Sequence, residues 1–188
     1  MVTDAILSDP RTYGALLVAL ALALVAQRFL GWRRYAQLHA LRRLVFPILH
    51  GWKGLFLVSD KGYRSDAEYL GTYSGSVREA WNRLVNADHS PHLISSVKRR
   101  PLPSGGTQLS AAHTVWSHSD GSQTEAYLFV APDGGTDLYA HHEPGVIDAK
   151  DHLSGEQADG DPRGVVREAF GPGTLERRDS GGESGTED

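Results

Sequence analysis

Residues 108–141, QLSAAHTVWSHSDGSQTEAYLFVAPDGGTDLYAH, carry the pattern from which a fold can be built. Three runs rich in β-branched and aromatic residues are separated by two turn signals, Asp120-Gly121 and Asp133-Gly134-Gly135. The runs predict strands over Gln108–Ser117, Gln123–Ala131 and Thr136–His141, joined as successive hairpins. A two-residue loop at Asp120-Gly121 sets Val115 opposite Ala126, Thr114 opposite Tyr127 and His113 opposite Leu128. A three-residue loop at Asp133–Gly135 sets Val130 opposite Leu138, Phe129 opposite Tyr139 and Tyr127 opposite His141.

Opposed residues share a sheet face, so these registers sort the side chains. One face holds Ala111, His113, Val115, Ala126, Leu128, Val130, Leu138 and Ala140, and suits a covering helix. The other holds Thr114, Trp116, Glu125, Tyr127, Phe129, Tyr139 and His141, an aromatic surface with polar tips.

Upstream, Leu93–Arg99 and Ala67–Tyr73 predict two further strands, the second preceded by the turn-rich residues 59–66. Between them lies the helix signal. Ser76 and Glu79 make a capping-box pattern, and Val77, Ala80, Trp81, Leu84 and Val85 repeat at helical spacing. The expected class is α+β: an antiparallel sheet of about four to five strands on one amphipathic helix. The domain is expected over residues 59–152.

Residues 153–188 are rich in Gly, Ser, Asp and Glu, and predict a disordered acidic tail, with a helical turn conceivable at Val165–Phe170.

Further upstream, Thr12–Gly31 reads TYGALLVALALALVAQRFLG, with no charged side chain from Tyr13 to Ala26. A bilayer-spanning helix takes roughly 20 residues, so residues 12–32 are expected to span a membrane, leaving 1–11 on the far side. Ala21-Leu-Ala23 resembles a signal-peptidase exit, but Asp4 and Asp9 spoil the basic start that a signal peptide wants. Arg28, Trp32, Arg33, Arg34, Arg42 and Arg43 flank the C-terminal end against Arg11 at the other, which predicts an N-terminus outside and a cytoplasmic domain.

Residues 33–58 form a basic juxtamembrane segment, with Tyr35, Leu38, Leu41, Val45, Ile48 and Trp52 near one helical face and Pro47 ending the helix near Phe46. It is expected to lie on anionic headgroups at residues 33–53. Packing on the domain is the competing reading.

Charge follows the same order. Residues 1–53 carry seven basic and two acidic side chains, net +5; residues 54–153 carry eight and twelve, net −4; residues 154–188 carry four and nine, net −5. An acidic domain argues against a nucleic-acid partner. No cysteine exists, which excludes disulfides and thiolate chemistry.

Motifs of chemistry are sparse. There is no GxSxG, phosphate loop, GxGxxG or HExxH, so no catalytic residue, cofactor or metal is assigned. A zinc site would draw on His118, His141 and Glu143, whereas His113 reads as a core histidine. The surface singled out is the aromatic face, Trp116, Tyr127, Phe129, Tyr139 and His141. The expected function is a single-pass membrane-anchored binding or scaffold protein, acting on a protein partner or a second copy. The alternative is a membrane-tethered metal-dependent hydrolase using the histidines.

Overall fold

The structure, a computed structural model, describes positions 18 and 22 and residues 25–52, 57–59, 68–93, 95–102, 105–145 and 162–176. The chain runs α1 (Trp32–Leu49), β1 (Val58–Ser59), β2 (Tyr69–Tyr73), α2 (Val77–Asn86), β3 (Ser90–Pro91), β4 (Val97–Pro101) and β5 (Thr107–Leu109). It continues through β6 (Ala112–Ser117), β7 (Gln123–Val130), β8 (Thr136–Glu143), α3 (Pro162–Phe170) and β9 (Leu175–Glu176). The class is α+β, with a six-stranded sheet in the order β3-β6-β7-β8-β2-β9 and a three-stranded sheet β1-β4-β5. Every pairing in the larger sheet is antiparallel.

The helix signal resolves as read. Ser76 and Glu79 complete a reciprocal capping box on α2, satisfying backbone donors that the first turn leaves open. At its other end Asp88 takes a left-handed φ of 65°, and His89 N–H donates to the Leu84 carbonyl, closing the helix in a Schellman pattern. Ala80, Trp81 and Leu84 then enter the core against Ala112, Ala126, Leu128, Leu138 and Ala140. Burying each such leucine stabilises by about 1.5–3 kcal/mol.

The β7–β8 hairpin closes at Ala131 and Gly135 round Pro132–Gly134, with Tyr127 opposite Tyr139 and Leu128 opposite Leu138. That register is two residues from the expected one, so the faces are unchanged. The β6–β7 hairpin differs by one. His118 pairs with Ser122 across a three-residue loop, with Gly121 at φ 90°, and His113 lies opposite Tyr127. A single-residue slip exchanges every side chain of the strand between faces. Trp116 therefore sits on the helix-bearing side, not beside Tyr127. His113 and Val115 sit on the side of Tyr127 and Glu125.

The expected strand Gln108–Ser117 is two strands, broken at Ser110-Ala111 where the chain passes from the small sheet to the large one. Leu93–Arg99 is shifted to β4, and Ala67–Tyr73 shortened to β2. A bulge in β2 precedes Gly71, where a Cβ would press on the Glu176 carbonyl oxygen at 3.0 Å. This closeness lets β9 pair with Thr72 and Tyr73.

The expected acidic tail is likewise corrected over 162–176. Val166 and Phe170 of α3 are buried in the main core, and Phe170 meets the Tyr73 ring at 5.3 Å. Two apolar residues at i and i+4 suffice to dock a short helix whose remaining composition is polar.

Helix α1 turns only Tyr35 of its expected apolar face into the domain. Tyr35, His39 and Arg42 face the domain, while Leu38, Leu41, Leu44 and Ile48 are exposed. Pro47 is carried inside the helix, which ends at Leu49. Among the described residues no helix is long and apolar enough to cross a membrane. Of the expected span over 12–32, positions 12–17, 19–21, 23 and 24 lie outside the described residues, as do 1–11, 60–67 and 146–161. Within it, Val18, Leu22, Val25 and Phe29 are exposed.

Candidate functional site

Strand alternation on β7 sends Glu125, Tyr127 and Phe129 to the face away from α2, and β8 adds Asp137, Tyr139 and His141 to the same face. This is the aromatic face read from sequence, without Trp116. It is covered. Strand β4 lies across it and presents Lys98 and Arg100, which share the same two-residue period.

Lys98 Nζ stands 3.1 Å from Glu125 Oε2 and 5.4 Å from the Tyr127 ring centre. Arg100 Nη1 stands 2.7 Å from Asp137 Oδ2, and its guanidinium lies 4.7 Å from the centre of Phe129. Arg100 also donates to Gln108 Oε1 and the Val130 carbonyl. Tyr127 and Phe129 are fully buried as a result. The aromatic rings thus act as a bed for two cations, which ring faces attract.

Beyond Lys98 the face becomes a polar cluster. Glu125, 1 % exposed, has His92 Nδ1 at 2.8 Å from Oε1, yet neither of these two atoms makes an aligned hydrogen bond. His141 Nε2 lies 2.8 Å from Glu143 Oε2 and 3.9 Å from Glu125 Oε2. His141 Nδ1 meets the Tyr127 hydroxyl, and that hydroxyl donates to Glu68 Oε2 at 3.3 Å. Gln123 Nε2 donates to Glu143 Oε1 at 2.6 Å.

The His141 ring is bonded at both nitrogens, to the Tyr127 hydroxyl through Nδ1 and to Glu143 Oε2 through Nε2 at 2.8 Å.

Electrostatics at the cluster are uneven. Burial on its own would raise the Glu125 carboxyl. The Lys98 ammonium and then His92 outweigh it and hold the group well below the usual carboxylate range. Glu143 is also lowered, its burial overcome by His141. Glu68 is raised, because burial exceeds the attraction of His141. Burial pushes the Tyr127 phenol well up.

The segment carrying His92 is held by α1. Arg42 donates to the carbonyls of His92 and Ser95. His39 Nε2 donates to the Ser110 carbonyl at 2.9 Å, and the His113 amide donates to the Tyr35 hydroxyl at 2.6 Å. His113 itself bonds Ser95 and Ser110 through its two ring nitrogens. Burial lowers His39 to about 4 and His113 well below its ordinary value.

Of the three zinc candidates, His141 and Glu143 meet, while His118 lies on the opposite face. There it stacks on His142 at 4.7 Å, and Trp116 stands 5.3 Å from His89. Of the residues expected to flank a membrane, Trp32 packs on Trp81 at 5.3 Å, Arg42 is buried, and Arg28 bonds Ser90. Arg33, Arg34 and Arg43 are exposed.

Sequence reading missed Lys98, Arg100, His92 and Asp137. The alternation in VKRRP was a signal, since two cations two residues apart point the same way on a strand. Comparison with protein-family models, with curated proteins and with solved structures finds no match.

Proposed function

We propose that the chain is a membrane-held binding module: Thr12–Gly31 spans the bilayer with the N-terminus outside, and α1 rests the domain on the cytoplasmic leaflet. The observation that carries this reading is the outward stripe of α1. Leu38, Leu41, Leu44 and Ile48 are all exposed on the side away from the core, and Arg33, Arg34 and Arg43 are exposed on the same helix. Such a stripe is costly in water and favourable at an interface, and the arginines suit anionic headgroups. The net +5 of residues 1–53 against the acidic remainder supports the same side.

The bound partner is a protein or a second copy, met by a surface other than the covered aromatic face. A membrane-tethered metal-dependent hydrolase is the second reading, favoured by the meeting of Glu125, His141 and Glu143.

The chain lacks cysteine, so Leu44→Cys and Ile48→Cys give unique labelling sites on the full-length protein. A polarity-sensitive dye there should shift blue in phosphatidylglycerol vesicles and be quenched by spin-labelled lipid. The same dye at Arg78→Cys on α2 should do neither. Equal, water-like emission at all three positions would remove α1 from the membrane.

A further inference from the structure

We propose that Glu125, His141 and Glu143 bind one divalent metal ion of the zinc class, with His92 as the neighbour that holds Glu125. This deepens the second reading above, which draws on the same three residues, and is independent of the membrane-held reading.

Three observations lead to it. First, each of the three side chains offers a ligand atom, and these atoms lie within 4.8 Å of one another. Atoms about 2.1 Å from a tetrahedral zinc stand roughly 3.4 Å apart, so the gathering needs little rearrangement. Second, the Tyr127 hydroxyl on Nδ1 fixes the His141 ring so that Nε2 points at Glu143 Oε2 and Glu125 Oε2, at 2.8 and 3.9 Å. A metal ion would take the place of the hydrogen shared by Nε2 and Glu143, and the phenol is then the outer partner that orients a ligating histidine. Third, Glu125 is almost wholly buried, and His92 stands 2.8 Å from its Oε1, which leaves Oε2 turned to the cluster, 3.9 Å from His141 Nε2.

Imidazole with two carboxylates selects a borderline ion over magnesium or calcium, which prefer oxygen alone. The cluster gathers three carboxyl groups (Glu68, Glu125, Glu143) and two imidazoles, with the Lys98 ammonium on Glu125. That ammonium already shares Glu125 Oε2, so Lys98 and a metal ion compete for one carboxylate.

The competition supplies a test that a purely structural ion-pair network would fail. Full-length protein in detergent is stripped with a chelator, then titrated with zinc against a chromophoric chelator. One equivalent should bind. His141→Gln and Glu143→Gln should each weaken binding at least about ten-fold, while His118→Gln and His142→Gln on the other face leave it unchanged. Lys98→Met should bind zinc more tightly than the parent chain. Its lowered melting temperature should be restored by zinc and not by magnesium.

Far-UV circular dichroism separates lost ligands from lost fold, and the zinc-dependent rise in the parent's melting temperature needs no variant at all. Less than one equivalent in the parent chain would overturn the proposal. So would affinity indifferent to His141 and Glu143, or equal protection by magnesium.

Discussion

The two faces of the large sheet are held by different physics. Towards α2 and α3 the contacts are Leu, Ala, Trp and Phe, and stability there comes from area removed from water. Towards β4 the contacts are Lys98 on Glu125 and Arg100 on Asp137, seated on aromatic rings. The first face is tolerant of chemistry and sensitive to volume. The second is tolerant of neither missing partner, because a buried charge without its counter-charge is far costlier than a small void.

The sharpest way to break this contrast is to compare single and paired substitutions. Lys98→Met alone should cost about 3–5 kcal/mol in chelator-containing buffer, since Glu125 is left charged and buried. Lys98→Met with Glu125→Leu should recover most of that loss, because an apolar pair replaces an ion pair of similar volume. On the helix face, Leu128→Ala should cost about 2–5 kcal/mol, and no charge change elsewhere should recover it. Urea unfolding followed by tryptophan fluorescence measures all three. Loss in the double variant equal to or larger than in the single would mean that the ion pair is net stabilising rather than merely intolerant of disruption.

The same contrast explains what could be read from the sequence. Helix α2, its capping box, the β7–β8 alternation and the α+β class all follow from local periodicity, which one strand or one turn displays by itself. The register of β6 did not. Asp120-Gly121 favours a two-residue loop, and the chain adopts a three-residue one, with His113 bonded to Ser95 and Ser110. Satisfying a buried imidazole outweighed the turn preference. The metal candidate was half legible. His141 and Glu143 are two residues apart on β8 and so share a face, while Glu125 joins them through a register and His118 leaves them through its one-residue slip. Helix α1 was partly legible: the exposed Leu38, Leu41 and Ile48 follow from spacing, whereas the inward Tyr35, His39 and Arg42 depend on the His113 amide and on the carbonyls of His92, Ser95 and Ser110.

Acid should erode both faces, but in sequence. Burial lowers His39 and His89 to about 4, so the unfolded chain binds protons first as pH falls below about 6.5. Folding stability should therefore decline from about pH 6.5 towards 4, by at most about 1.4 kcal/mol per pH unit for each histidine. Glu125 acts lower. Its folded value is depressed, so its contribution is present above the ordinary carboxylate range and is lost as pH falls through that range and below. His89→Asn should make the upper limb shallower, with His39 and His113 supplying the rest, and leave the lower limb intact. A stability curve level from pH 7 to 5 would show that neither histidine is held neutral by the fold.

The smallest expected effect tests the origin of the difference between the faces. Deleting Ser119 leaves Asp120-Gly121 as a two-residue loop closed by the existing His118–Ser122 pair, in the native register. If the chemistry of the two faces sets the register, the deletion offers the preferred turn without moving any side chain across the sheet. Stability should then change by less than about 1 kcal/mol, since Asp-Gly suits the two positive φ angles of such a turn. If instead the three-residue loop sets the register, through Asp120 Oδ1 accepting from both the Ser122 amide and hydroxyl, shortening it should cost several times that. His113 and Tyr127 would no longer be opposed, and amide exchange along β6 would accelerate while α2 stayed protected. The buried bonds of His113 make the first outcome the expected one, because they lie well away from the loop and survive its shortening.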